Sequence, residues 1–135
     1  MTFDPCSAAV AAPGATAAQI ASIDAALAGW SAQGMGVTRV AAAGSGVLPI
    51  SFRTGGESEY GYYDDAAGAI YVNVDLTDDA ARAVAVAHEL GHAFGLVHVP
   101  LATRASVMNP GNLTIAPSAA DAAAVAAVWG ACAPD

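Results

Sequence analysis

Three observations predict an α+β domain. Apolar residues recur at helical spacing in one segment and cap residues open two further helices, two pairs of short β-branched and aromatic runs lie between the first helix and the second, and Gly, Pro, Asp and Ser punctuate the joins. Strands grouped together with helices packed on one face give an α+β arrangement. A chain of 135 residues has the length of one domain, spanning 1–135, which buries about two thirds of the surface its unfolded form exposes. No internal repeat or linker divides it.

Taken in order, residues 16–30 carry Ile20, Ile23, Leu27 and Trp30 at spacings of three and four, which places one apolar stripe on a helix closed by Gly34 and Gly36. Segments 37–42 and 47–52 read as strands separated by Gly44-Ser45-Gly46, and 60–63 and 69–74 read as a hairpin around Asp64-Asp65-Ala66-Ala67-Gly68. Asp75, Thr77, Asp78 and Asp79 then supply cap candidates and negative charge for a long helix ending about Gly95. Ser118, with Asp121 three residues later, opens a last helix that ends near Gly130. Residues 1–14 show no clear strand pattern.

Hydrophobic residues make up 56% of the chain, yet Gly, Pro, Asp and Ser break every apolar run, so no segment reads as a membrane-spanning helix. The net charge is −8, Lys is absent and the Arg residues are scattered at 39, 53, 82 and 104, which argues against a nucleic-acid partner. The first residues contain Asp4 and Pro5 and lack the charged and apolar regions of a signal peptide, so an exported protein is expected here in its mature form, acting as a monomer. Cys6 and Cys132 lie near the two ends. A disulfide stapling the termini in an oxidising compartment is one reading, with a stabilisation on the order of 4 kcal/mol in the chain-entropy model. The other reading makes Cys6 a thiolate that caps a metal in a latent form.

Residues 88–98 read His-Glu-Leu-Gly-His-Ala-Phe-Gly-Leu-Val-His and contain every histidine of the protein. On a helix, positions i and i+4 share a face, so His88 and His92 can aim at one metal ion. Glu89 sits beside them, placed to hold a water at the metal rather than the metal itself, as a general base must. Gly95 tolerates positive φ and can turn the chain back so that His98 arrives as a third ligand. Three neutral ligands leave one position open, which is the pattern of a catalytic zinc site.

These residues resemble the metzincin metallopeptidases, whose extended motif H-E-x-x-H-x-x-G-x-x-H precedes a methionine in a tight turn. Ser106-Val107-Met108-Asn109-Pro110 is the matching turn, with Met108 ten residues beyond His98. Within that group the chain is similar to the matrixins, including their compact bacterial members, over about residues 20–130. Val37-Thr38-Arg39-Val40 and Pro49-Ile50-Ser51-Phe52 look like sheet strands of that family, and the closing helix ends in Trp129-Gly130 as its counterpart ends in an aromatic-Gly pair. The resemblance implies a small twisted, mostly parallel sheet with an antiparallel edge strand, a zinc-binding active-site helix, a Met-turn and a C-terminal helix. It also implies one Zn2+, since the loop and the spare histidine for a second are absent. The unpatterned residues 1–14 leave the expected sheet one strand short, and Pro110 stands where related families carry a ligating tyrosine. Calcium at Asp64, Asp65, Asp75, Asp78 or Asp79 competes with plain turn and cap roles for these residues.

The expected activity is a secreted zinc endopeptidase, in which zinc polarises the scissile carbonyl and acidifies a water while Glu89 carries the proton to the leaving nitrogen. The resemblance places an extended substrate along the strand of Glu59, Tyr60, Gly61, Tyr62 and Tyr63. It places the turn of Met108, Asn109, Pro110 and Gly111 as the wall of a pocket for a hydrophobic side chain. Two alternatives are a zinc-binding recognition or inhibitor module without broad proteolysis, and a peptidase acting on one dedicated partner or on its own precursor.

Overall fold

The computed structural model describes residues 1–54 and 60–132. Along these, the elements are β1 (Ala9–Ala11), α1 (Ala17–Ser31), β2 (Thr38–Arg39), β3 (Val47–Arg53), β4 (Gly61–Asp64), β5 (Ala69–Asn73), α2 (Asp79–Ala93) and α3 (Ala119–Trp129). The strands form one sheet in the order β2-β1-β3-β5-β4. β1 pairs parallel with both β2 and β3, and β3 pairs parallel with β5. β4 runs antiparallel to β5, with Tyr62 opposite Tyr71, and ends the sheet. The α+β class, the mostly parallel sheet, its antiparallel edge and the 60–74 hairpin therefore agree with expectation.

The sheet is not one strand short. β1 is present inside residues 1–14 and forms the second strand of the sheet, so a strand also precedes the first helix and the strands are not all grouped after it. Ala9-Val10-Ala11 has no alternation because Val10 and Ala11 are both buried, and alanine carries little strand preference of its own. Pairing on both edges creates this strand. Segment 37–42 is reduced to Thr38–Arg39, an exposed edge, and the Ala- and Gly-rich stretch after it does not pair as strand.

The cap signals of the second and third helices translate directly, and the first helix has a capping box as well. Thr16 and Gln19 form a reciprocal capping box on α1, Ser118 and Asp121 form another on α3, and Asp78 accepts from Ala81 N–H at the start of α2. On α1 the buried stripe is Ile23, Ala26, Leu27 and Trp30, with Ile20 half-buried beside it. Trp30 packs edge-to-face on Phe94 at 5.4 Å between centroids, and its Nε1–H donates to Ala87 O at 3.0 Å. That contact presses α1 against the helix carrying the motif. At the other end of the same pair, buried Arg82 donates to Leu76 O, Thr77 O, Ala18 O, the Ser22 hydroxyl and the Asp79 carboxylate, so the charge is fully partnered.

Cys6 and Cys132 are joined as a disulfide across 126 residues of sequence, so Cys6 is not a free thiolate. Closing a loop of that length stabilises the fold by about 5 kcal/mol at most in the chain-entropy model. No helix among the described residues is long and apolar enough to cross a membrane.

Candidate metal centre

His88, Glu89 and His92 lie on the last two turns of α2, and the helix stops at Ala93. Gly95 then adopts φ +98°, a conformation that a side chain would strain, while Gly95 N–H and Leu96 N–H bond back to His92 O and Gly91 O. The reversed chain brings His98 to the other two. The ligand atoms of His88, His92 and His98 lie within 4.8 Å of one another, and the Nε2 atoms of His88 and His98 are 3.3 Å apart. Two nitrogens on a tetrahedral zinc ion at about 2.0–2.1 Å would be about 3.3–3.4 Å apart, so this pair already has that spacing. His88 is buried, His92 half-buried and His98 exposed, which leaves the group reachable from one side.

The ring orientations are fixed from behind. His88 Nδ1 is 2.7 Å from Val107 O and His92 Nδ1 is 2.9 Å from Leu96 O. A carbonyl oxygen only accepts, so each Nδ1 carries the proton and each Nε2 presents a lone pair to the centre. Burial pushes both imidazoles below their usual range, against the pull of those carbonyls, and the neighbouring histidines push the same way as burial. Neutral imidazole is the form that binds a cation. The three histidines can therefore hold one metal ion.

Glu89 shares a cleft of about 610 Å³ with all three histidines. Burial pushes its carboxyl up to about 7, and the Tyr63 N–H bond opposes this by favouring the carboxylate. A dication at the imidazoles would draw the same carboxyl down again. Tyr60, Gly61, Tyr62 and Tyr63 line one wall of this cleft, and Glu59 lies outside the described residues. Gly111 also lines the cleft, together with Asn112, which no sequence motif marks. Pro110 is exposed and is not among the lining residues. Asn109 is buried with its amide turned inward, donating to Val99 O and Arg104 O and accepting from Ser106 N–H. With Val99 N–H on Met108 O, it fastens the segment after His98 to the turn.

Met108 is buried directly under the ligand helix. A Cβ on Gly91 would lie 2.3 Å from its sulfur, so the glycine between the two helix ligands is what admits it. The turn is held from below by Asp121, which is fully buried and accepts from Ser106 Oγ at 2.5 Å, Arg104 Nη1 at 2.8 Å, Val107 N–H at 3.2 Å and Ser118 N–H at 3.0 Å. Sequence showed Asp121 only as a capping partner; the one further signal was an acid inside an otherwise apolar helix. Burial alone would raise its carboxyl, but the Ser106 and Arg104 bonds and the two backbone N–H groups hold it below the usual carboxylate range. A depressed folded value means stability that is present above the unfolded value and lost as pH falls through the folded one. Asp121→Asn should therefore cost about 3 kcal/mol near neutral pH, with the loss shrinking below about pH 4. Denaturant unfolding of both proteins across that range checks this; equal stability at neutral pH would contradict it.

None of the calcium candidates gathers with another acid or histidine in a group able to hold a metal; among the described residues the histidine triad is the one such group. Asp64 accepts from Ala67 N–H in the hairpin turn, Asp78 caps α2, Asp79 pairs with Arg82 and Asp65 pairs with the terminal amine, while Asp75 N–H donates to Asn73. No protein-family model matches the chain, and no curated protein sequence matches it.

Proposed function

We propose that this chain is a zinc-dependent peptidase and, more narrowly, a secreted endopeptidase of matrixin-like type within the metzincins. The observation that carries the reading is the carboxyl of Glu89 in the same cleft as three convergent imidazoles, neighbouring them without being one of the ligands. A purely structural site has no use for such a group and closes its fourth position with a fourth ligand.

A zinc ion held by His88, His92 and His98 supplies Lewis-acid polarisation of a carbonyl and a more acidic water. Glu89 accepts a proton from the attacking water and delivers it to the leaving nitrogen. β4 is the end strand of the sheet and lines the cleft, so an extended peptide can lie along it, with its backbone rather than one side chain giving affinity. The disulfide fits an oxidising compartment, which supports secretion.

Incubation of the zinc-loaded protein with casein or gelatin tests the class. Cleavage at many sites, abolished by a chelator and restored by Zn2+, is expected. A zinc-loaded protein that cleaves neither substrate would overturn broad peptidase activity and favour a recognition module.

A further inference from the structure

The loop that follows Met108 is organised by one side chain. Asn112 Oδ1 accepts from Thr114 N–H at 3.0 Å and Ile115 N–H at 2.8 Å, and its Nδ2 donates to Ile115 O at 2.7 Å and Val107 O at 3.1 Å. The amide thus uses both faces of its hydrogen-bonding capacity, while the residue stands half-buried in the wall of the cleft.

Val107 O is also the acceptor that fixes His88 Nδ1–H. A carbonyl oxygen has two lone pairs, so the imidazole and the amide bind it together, and its position is set from both sides. The same peptide plane is held at its other end, where Met108 N–H donates to Ser106 Oγ at 2.9 Å, and Ser106 is itself bound to Asp121. The carbonyl facing His92 needs no such help, because Leu96 is tied to α2 by its own N–H on Gly91 O.

We propose that Asn112 is a positioning residue of the metal centre, which orients the His88 imidazole by fixing the Val107 carbonyl and so couples the loop lining the cleft to a metal ligand. The inference rests on the metal-binding half of the function proposed above and not on peptide cleavage. Groups that orient a ligating histidine alter metal affinity although they never touch the metal.

Asn112→Asp is the test, because it keeps the size and the acceptor for Thr114 and Ile115 but sets a carboxylate oxygen against Val107 O. Zn2+ affinity by chelator competition should fall about 10- to 100-fold. The visible bands of the Co2+-loaded protein should change, and in the metal-free variant the ring 15N shifts of His88 should move while those of His92 stay. A folded variant with wild-type affinity, bands and ring shifts would overturn the proposal. Should that variant not fold, the unsubstituted protein decides: its Asn112 side-chain amide resonances should shift on adding Zn2+, more than those of Gln19 on α1, and unmoved resonances overturn it. Wild-type protein that binds Zn2+ and cleaves nothing removes the peptidase reading alone, whereas an active wild type with an unaltered variant removes this one alone.

Discussion

On the function proposed above, Glu89→Ala should abolish most peptidase activity while leaving metal content and folding almost intact. The expected fall is about 10²- to 10⁴-fold, the usual contribution of a general base, equivalent to about 3 to 5 kcal/mol of barrier. The residue is not among the three ligands, and its carboxyl neighbours the centre from inside the cleft wall. Nor does the fold depend on its charge. Its folded-state value of about 7 lies above the ordinary carboxyl value, so in metal-free protein the stabilising contribution is present at low pH and lost as pH rises through about 7. At and above neutral pH, deleting the group should therefore cost the metal-free protein little. What remains is loss of the proton carrier. A fluorogenic peptide assay on both proteins, each quantified for zinc, checks the result; a zinc-loaded variant cleaving at near wild-type rate would remove Glu89 from the mechanism.

His98→Ala should empty the centre. Two histidines from one helix leave the metal with half of a tetrahedral shell, and the third ligand is the one that closes the site from the opposite side. His98 lies beyond the helix end and is exposed, so its removal takes away little buried surface and should not unfold the protein. The loss in Zn2+ affinity should exceed the 10- to 100-fold typical of changes behind a ligand, because here the ligand itself is gone. Activity should fall with metal content. Metal analysis after dialysis against a weak chelator checks the outcome, and undiminished zinc would exclude His98 from the site.

The two substitutions separate roles that the cleft brings close together. On the proposed function, one should keep the metal and lose proton transfer, and the other should lose the metal with Glu89 in place. Together they also discriminate a hydrolase from a binding module, for which Glu89→Ala would have no measurable consequence.

Much of this centre is legible in the chain because its information is local. The i, i+4 spacing of His88 and His92 fixes a shared helix face, and Gly95 marks the reversal that returns His98, observed as φ +98°. The caps at Asp78 and Ser118 are likewise written within three residues of the helix starts. The turn of the β4–β5 hairpin is short-range as well. Pairing Cys6 with Cys132 needed only the count of cysteines and a compartment to oxidise them.

Tertiary structure alone decided the rest, where a residue's role depends on partners remote in sequence. β1 has no strand pattern of its own and exists because β2 and β3 flank it. Asp121 reads as a cap, yet its burial against Ser106, Arg104 and Val107 makes it the anchor of the Met108 turn. Asn109 reads as a cleft residue and instead faces inward to fasten the chain after His98, while Asn112 gave no signal at all before the Val107 carbonyl was seen between it and His88. The Tyr63 N–H that meets Glu89 is a backbone group, identical in every residue type except proline. Sequence determined which side chains can bind a metal and carry a proton, since ligand chemistry and helical spacing are properties of residue type and separation. The fold decided what holds them in place, because hydrogen bonds to shared carbonyls and buried acids form only once distant segments have packed.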